Sequence, residues 1–189
     1  MGIAKLINKQ KLSLETAVFG EEGILKQYAV HDSLKKISVR HLLEHATGGW
    51  SHFQRHEFNR NESDHITFVK NLITGYTIHK PPGGVFTYSN IGFMFLGRVI
   101  EQLTGETYEK FIQRELLYPA DIYARIGDQK TGLHEATYYS QDNASPYNHW
   151  NPRLLDAATG WVFTARQLAL LYAELERGRN FVQLERSTA

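Results

Sequence analysis

A proline–glycine turn that leads into a long one-sided helix is the feature that most restricts how this chain can fold. Pro81-Pro82-Gly83-Gly84 is a strong turn signal, and a short extended stretch, 85–88, follows it. We predict Asn90 as the N-cap of a helix that Thr104-Gly105 closes. Its apolar residues recur at helical spacing, at Ile91, Phe95, Val99, Ile100 and Leu103. The pattern predicts that this stripe is buried.

The same patterns predict further helices on both sides of this segment. We expect a helix within residues 1–10, a loop-like connection over 11–36, and a short helix from the cap Ser38 to about His45, stopped by Gly48-Gly49. A helix capped by Ser63 or Asp64 and ended by Gly75 follows, with Ile66, Val69, Leu72 and Ile73 on one face. Another starts at the cap Thr107, with Tyr108, Phe111, Ile112 and Leu116 buried.

Strand signals are sparse and come late in the chain. We predict a strand at about 134–139, a short buried strand over 160–163, and an otherwise irregular stretch over 120–160. A last helix begins at the cap Thr164 and ends at Gly178. Its inward residues are predicted to be Leu168, Leu171, Tyr172 and Leu175.

Composition and charge exclude several classes of function. Apolar residues make up 42% of the 189 residues, enough for a real core, and the net charge of +1 gives no field that would attract nucleic acid. The absence of cysteine excludes disulfides, thiolate metal sites and a cysteine nucleophile. No apolar run is long enough to span a membrane. We expect no cofactor, and the localisation and oligomeric state stay open.

One motif suggests zinc chemistry. His41-Leu42-Leu43-Glu44-His45 reads H-x-x-E-H, in which two histidine ligands on one helical face flank a catalytic glutamate. A third ligand would come from downstream, but Glu101, Glu106 and Glu115 are equally eligible. Because nine histidines make one such spacing easy to reach by chance, we favour a structural role for His41 and His45 and predict no metal site. We interpret a second pair, His52 and His56, as solvated loop residues.

A second motif, Tyr88-Ser89-Asn90, lies where the extended stretch meets the long helix. Side chains at such a junction project beside the helix N-terminus, where anions and nucleophiles are stabilised. A tyrosine hydroxyl has a free pKa of about 10, and a neighbouring cation lowers that pKa enough for proton transfer. By itself the tripeptide fits a packed aromatic equally well.

The stretches around this motif resemble the serine beta-lactamase-related family, which includes class C beta-lactamases, DD-peptidases and related esterases. PPGGVFTYSNIGFMFLGRVIEQLTGETYEKFIQRELLYP is similar to the family's Tyr-x-Asn segment, and ISVRHLLEHATGG resembles its His-Leu-Leu…His-Thr-Ser-Gly run. LSLETAV resembles the stretch after the nucleophile helix, and DAATGWVFTARQLALL the Gly-rich strand and helix before the last third. The resemblance covers most of the chain in the expected order.

The resemblance implies hydrolysis of an amide or ester through a serine acyl-enzyme. In the family a Ser-x-x-Lys supplies the nucleophile, the tyrosine of Tyr-x-Asn shuttles protons, its asparagine positions the substrate and the lysine, and a Lys-Thr-Gly or His-x-Gly lies on an edge strand. The resemblance therefore implies that Tyr88 is the general acid/base and that Asn90 positions the substrate.

The first and third motifs of the family have no match in the expected places. Ser33-Leu34-Lys35-Lys36 spells the first, but it follows LSLETAV instead of preceding it, and we interpret it as a chance match. By that alignment the nucleophile would lie several residues before Met1. Lys130-Thr131-Gly132 spells the third motif, but it precedes the Gly160 strand, whereas the family's comes after.

These observations predict an α+β, mostly helical fold: the central helical region of a beta-lactamase/transpeptidase-like fold with an incomplete antiparallel sheet. Residues 1–189 would form a single partial domain, truncated at both ends and inactive alone. An alternative is a non-catalytic binding or scaffolding relative that uses Trp50, Trp150 and Trp161. A less favoured alternative is a zinc hydrolase that uses His41, Glu44 and His45.

Overall fold

Helices dominate the part of the chain that the structure describes. The computed structural model describes residues 1–50, 65–74, 78–128, 132, 134–136 and 151–178. Its α-helices are α1 (Gly2–Asn8), α2 (Val39–Leu43), α3 (His65–Thr74), α4 (Asn90–Thr104), α5 (Tyr108–Ile112) and α6 (Ala165–Arg177). A π-helical stretch, Gln113–Leu117, continues α5, and short 3₁₀ helices cover Asp32–Lys36, Tyr118–Ala120 and Pro152–Leu155.

Helix α4 begins one residue earlier than its predicted cap implies. The N-cap is Ser89, whose Oγ accepts the N–H of Gly92 at 3.4 Å, and Asn90 is the first helical residue. The prediction of Asn90 as the cap was wrong, because serine at the preceding position already satisfies the exposed amide. Gly105 ends the helix in the left-handed conformation, at φ 73°, as predicted. The correction leaves the Asn90 side chain available for another partner.

The apolar stripe of α4 lies in the main core. Four of its five predicted members are buried and Leu103 is half-buried. Phe95 packs edge-on against Phe19, with ring centroids 5.0 Å apart, and lies 5.3 Å from the ring of Trp50. Trp50 itself is 1% exposed. This aromatic cluster joins α4 to the connection between α1 and α2, which sequence periodicity could not place.

The described part of the sheet consists of two short antiparallel strands. β1 (Arg125–Ile126) pairs with β2 (Trp161–Val162), with Arg125 opposite Val162. β2 lies in the predicted 160–163 strand, although its residues are half-buried, whereas β1 was missed because two residues carry no readable period. Residues 134–136 are not extended as predicted, and the rest of that predicted strand lies outside the described residues. The α+β, mostly helical class is confirmed.

Two helices turn predicted inward residues towards solvent. In α6, Leu171 is buried, but Leu168 and Tyr172 are 45% and 64% exposed. In α3, Ile66 is 59% exposed, while Phe68 joins Val69, Leu72 and Ile73 in the core. The caps of α6 match their predictions, since Thr164 Oγ1 accepts the N–H of Gln167 and Gly178 adopts φ 63°. The caps predicted for α3 lie outside the described residues.

The buried faces were misassigned because spacing identifies a helix but does not say which partner covers each side. Among the helices that the structure describes, none is long and apolar enough to cross a membrane.

Candidate active site

Tyr88 and Asn90 lie together at the start of α4. The Tyr88 hydroxyl donates a hydrogen bond to Oδ1 of Asn90 at 3.2 Å, and the Tyr88 side chain is 46% exposed. Because Ser89 caps the helix and is buried, the residues on either side of it point their functional groups to the same side. The arrangement places an exposed hydroxyl and an amide within reach of one small molecule.

A backbone clamp holds the stretch that carries Tyr88. We use this name for the hydrogen bonds between residues 45–48 and 80–87. Lys80 N–H donates to the Gly48 carbonyl at 3.2 Å, Gly83 N–H to the Ala46 carbonyl at 2.8 Å, and Thr87 N–H to the His45 carbonyl at 2.7 Å. The clamp joins the HATGG run to the turn before Tyr88, and these two segments are far apart in sequence.

Glycine is required at one point of the clamp. Gly48 has φ 91°, and a Cβ placed on it would lie 2.1 Å from the carbonyl oxygen of Lys80. Any larger residue there would force the two chain segments apart.

The side chain of His45 adds a second connection to Tyr88. Its Nδ1 accepts the N–H of Ser89 at 3.1 Å, and its ring lies 4.6 Å from the Tyr88 ring, centroid to centroid. The ring also stacks on Phe93 at 4.9 Å and an interplanar angle of 25°, and it meets the ring of Phe86 edge-on at 5.6 Å. His45 therefore sits inside the aromatic surroundings of the candidate tyrosine.

A buried ion pair anchors the body of α4. Arg98 and Asp156 are 3% and 5% exposed, and a guanidinium nitrogen of Arg98 donates to Asp156 Oδ2 at 2.6 Å. Glu101 Oε2 approaches Arg98 Nε at 3.2 Å. Burial raises the pKa of Asp156, and the charge of Arg98 opposes that rise. The pair fixes the helix against the segment 152–156, so that its N-terminus has a defined position.

His65 lies at the edge of this pair. Its Nε2 is 3.8 Å from Asp156 Oδ2, but burial, helped by the positive charge of Arg98, lowers the pKa of His65 to about 4. At neutral pH the ring is therefore uncharged, and the contact is not an ion pair.

The residues of the zinc hypothesis have other partners. His41 Nδ1 accepts the N–H of Ser38 at 3.1 Å, which makes it part of the cap of α2, and Glu44 approaches Arg40 at 3.4 Å. Together with the bond from Ser89 to His45, these contacts are what a capping role for the two histidines requires. Among the described residues, no group of three histidine or acidic side chains is placed to hold a metal ion.

The structure describes all of the Ser33-Leu34-Lys35-Lys36 string but only Gly132 of the Lys130-Thr131-Gly132 string. Ser33 Oγ lies 2.9 Å from His31 Nδ1 and accepts the N–H of Ile78 at 3.3 Å, while Lys35 pairs with Asp32 at 2.8 Å. Ser33 thus has local partners of its own in a 3₁₀ helix. Lys130 and Thr131 of the Lys-Thr-Gly string lie outside the described residues, as do His52, His56 and Trp150.

Comparison with known proteins decides the family. The sequence model of the family described as Beta-lactamase matches residues 1–189. The chain belongs to the Beta-lactamase family. It is 25% identical over 179 residues to penicillin-binding protein 4* of Bacillus subtilis (strain 168), which covers 90% of the chain and 35% of that protein.

Solved structures support the same fold. A D-stereospecific amidohydrolase from Streptomyces sp. superposes with a TM-score of 0.75 at 22% identity, covering 96% of this chain and 58% of its own. The D-amino acid amidase from Ochrobactrum anthropi SV3 complexed with L-phenylalanine amide gives 0.71 at 19% identity, covering 96% and 53%. The chain spans about a third of the length of the curated relatives that it matches.

Sequence reasoning named the two residues of the motif but missed what holds them. The sequence suggested His45 only as a zinc ligand or a structural residue, and it did not predict the clamp. One signal was present in the sequence: histidine stands at the end of a short helix, where glycine is the usual residue.

Proposed function

We propose that this Beta-lactamase-family chain is part of, or a degenerate relative of, a serine hydrolase that cleaves small amides or esters. In the proposed reaction Tyr88 moves the proton and Asn90 positions the substrate and the catalytic lysine. The observation that carries the proposal is the hydrogen bond from the exposed Tyr88 hydroxyl to Asn90 at the start of α4. The amidase relative bound to a phenylalanine amide supports a small-molecule amide as substrate.

The proposed chemistry is acyl transfer to a serine. A serine hydroxyl attacks the carbonyl carbon and gives its proton to Tyr88, which passes that proton to the leaving group as its bond to the carbonyl carbon breaks. Water then attacks the acyl-enzyme ester, gives a proton to Tyr88, and Tyr88 returns it to the serine oxygen as the acid is released. This chain holds the proton-transfer and positioning groups but no Ser-x-x-Lys in the expected place, so we propose that it does not form the acyl-enzyme alone.

The flanking DNA provides the test of this proposal. We expect an in-frame Ser-x-x-Lys just upstream of codon 1, and the longer product to hydrolyse amide or ester substrates. In that product Tyr88→Phe lowers kcat by about 10²–10⁴-fold, the usual contribution of a general acid/base. The control Tyr123→Phe alters a tyrosine that is 70% exposed and packs against Tyr118 instead, and leaves kcat unchanged. Equal activity of both variants would contradict the role of Tyr88.

The second proposal, of a different class, is a non-catalytic binding or scaffolding relative. Exposed apolar side chains favour it: Leu168 and Tyr172 on α6, with Tyr118 and Tyr123 from the connection that packs against the same helix. Trp50 does not contribute to such a surface, since it is buried. A reading frame that opens at codon 1 without an upstream Ser-x-x-Lys would favour this proposal over the enzyme.

The zinc hydrolase is tested by metal analysis. We expect the purified chain to hold no stoichiometric zinc and His41→Ala to leave its metal content unchanged. One zinc per chain that is lost in His41→Ala would establish the metal site.

A further inference from the structure

His45 occupies a backbone position at which glycine is the usual residue. It has φ 53°, in the left-handed region of backbone conformation that residues other than glycine rarely adopt. Its N–H donates to the Leu42 carbonyl at 3.4 Å, and the N–H of Ala46 donates to the His41 carbonyl at 2.8 Å. These two bonds form the Schellman motif that ends α2, with His45 at the left-handed position.

In the described part of the chain, two other helices end with glycine in the left-handed conformation. Gly105 ends α4 at φ 73°, and Gly178 ends α6 at φ 63°. The conformation alone therefore explains the turn after α2 but not its histidine, which introduces backbone strain that glycine would avoid. Strained residues of this kind concentrate at functional sites.

The side chain shows what the histidine adds. Nδ1 accepts the Ser89 N–H, and this bond ties the ring to the backbone of Ser89. One face of the ring is stacked on Phe93, and Tyr88 lies against the ring at 4.6 Å. The His45 carbonyl also accepts the N–H of Thr87. His45 thus contacts all three residues 87–89 that lead into the candidate site.

We propose that His45 is a positioning residue, which holds the Tyr88 hydroxyl in the orientation that donates to Asn90. This inference rests on the proposed function, because it concerns the same tyrosine and asparagine. The ring supplies the surface that limits rotation of the phenol, and the Nδ1 bond fixes that surface to the backbone of Ser89. His45 itself transfers no proton in this account.

The test is a double-mutant cycle read at Asn90 by NMR of the ¹⁵N-labelled chain. The side-chain amide of Asn90 is assigned with Asn90→Asp and followed in His45→Asn, Tyr88→Phe and the double variant. Asparagine tolerates the left-handed backbone but lacks the ring. We expect His45→Asn to move the Asn90 signal most of the way to its position in Tyr88→Phe, because both changes release the same hydrogen bond. In the Tyr88→Phe background, His45→Asn then adds no further movement.

Two additional variants keep the result interpretable. His45→Gly relieves the backbone strain, so it folds even where another replacement does not, and it moves the Asn90 signal as His45→Asn does. The control is His31→Asn, since His31 Nδ1 likewise accepts a backbone N–H, that of Ser33 at 3.2 Å, in another part of the fold. It leaves the Asn90 signal in place.

The proposal is overturned if the Asn90 signal stays in place in folded His45→Asn and His45→Gly. It is also overturned if His45→Asn moves the signal equally with and without the Tyr88 hydroxyl, since His45 would then act on Asn90 by another route. Neither readout needs turnover. If Tyr88→Phe leaves the kcat of the longer enzyme unchanged, the proposed function alone is refuted. If replacing His45 leaves the Asn90 signal in place, the positioning role alone is refuted.

Discussion

Replacing Gly48 by alanine tests whether the backbone clamp holds the stretch that carries Tyr88. The new methyl group would lie 2.1 Å from the Lys80 carbonyl oxygen, and about 1 Å of movement is needed to reach van der Waals contact. That movement separates Lys80 from Gly48 and strains the neighbouring bond from Gly83 to Ala46. Each lost hydrogen bond costs about 1 kcal/mol. The left-handed conformation of an alanine adds about 1–2 kcal/mol.

We therefore expect Gly48→Ala to lower the free energy of unfolding by about 3–4 kcal/mol. The matched control is Gly105→Ala, because Gly105 also has positive φ, at 73°, but nothing lies within 4 Å of its added Cβ. It should lose only the backbone contribution, about 1–2 kcal/mol. Urea unfolding followed by far-UV circular dichroism gives both values. Equal losses in the two variants would refute the close approach of Gly48 to Lys80.

Two further predictions concern the buried charges. Asp156→Ala leaves Arg98 buried without its 2.6 Å partner and should lower the free energy of unfolding by about 3–5 kcal/mol. The control, Arg114→Ala, removes an exposed pair with Glu106 and should lower it by less than about 1 kcal/mol in the same urea assay. Similar losses would refute the buried pair. The pKa of His65 is lowered to about 4 in the folded chain. Between about pH 4 and 6.5 the unfolded chain therefore binds a proton at His65 that the folded chain does not bind. The free energy of unfolding should therefore rise from pH 4 to 6.5, by at most about 3 kcal/mol from this group. His65→Gln should flatten that part of the plot of unfolding free energy against pH. An unchanged slope would contradict the burial of a neutral ring.

Local patterns predicted the helices well because their signals lie within a few residues. The apolar stripe of α4, the cap at Thr164 and the terminal glycines Gly105 and Gly178 are read directly from spacing and residue type. The one-residue error at Asn90 has the same local origin, since serine and asparagine are both good caps and only the hydrogen bond to Gly92 distinguishes them.

Features that depend on distant parts of the chain could not be predicted this way. β1 exists because Arg125 and Ile126 meet β2, and two residues have no period to read. Leu168 and Tyr172 fit the period of α6 as well as Leu171 does, but only Leu171 finds a partner within the described core. The clamp and the contacts of His45 depend on hydrogen bonds between segments far apart in sequence. The histidine at the end of α2 marks an unusual position, but nothing local identifies its partners.

The family resemblance supplied what local patterns could not. It selected Tyr88 and Asn90 from a tripeptide that was ambiguous by itself, and it moved the chemistry away from His41 and His45. The structure then brought the two resembling segments together, since the HATGG run is hydrogen-bonded to the turn before Tyr88. The zinc-like string is thus a neighbour of the candidate site.

Covalent labelling of the purified chain tests the central claim most directly. The claim is that residues 1–189 carry the Tyr-x-Asn part of a serine hydrolase site without its nucleophile. Intact-mass spectrometry after incubation with a fluorophosphonate, and separately with a penicillin, should show unmodified protein. A stoichiometric adduct on any serine would contradict the claim, and an adduct on Ser33 would show that Ser33-Leu34-Lys35-Lys36 is a working nucleophile motif rather than a chance match.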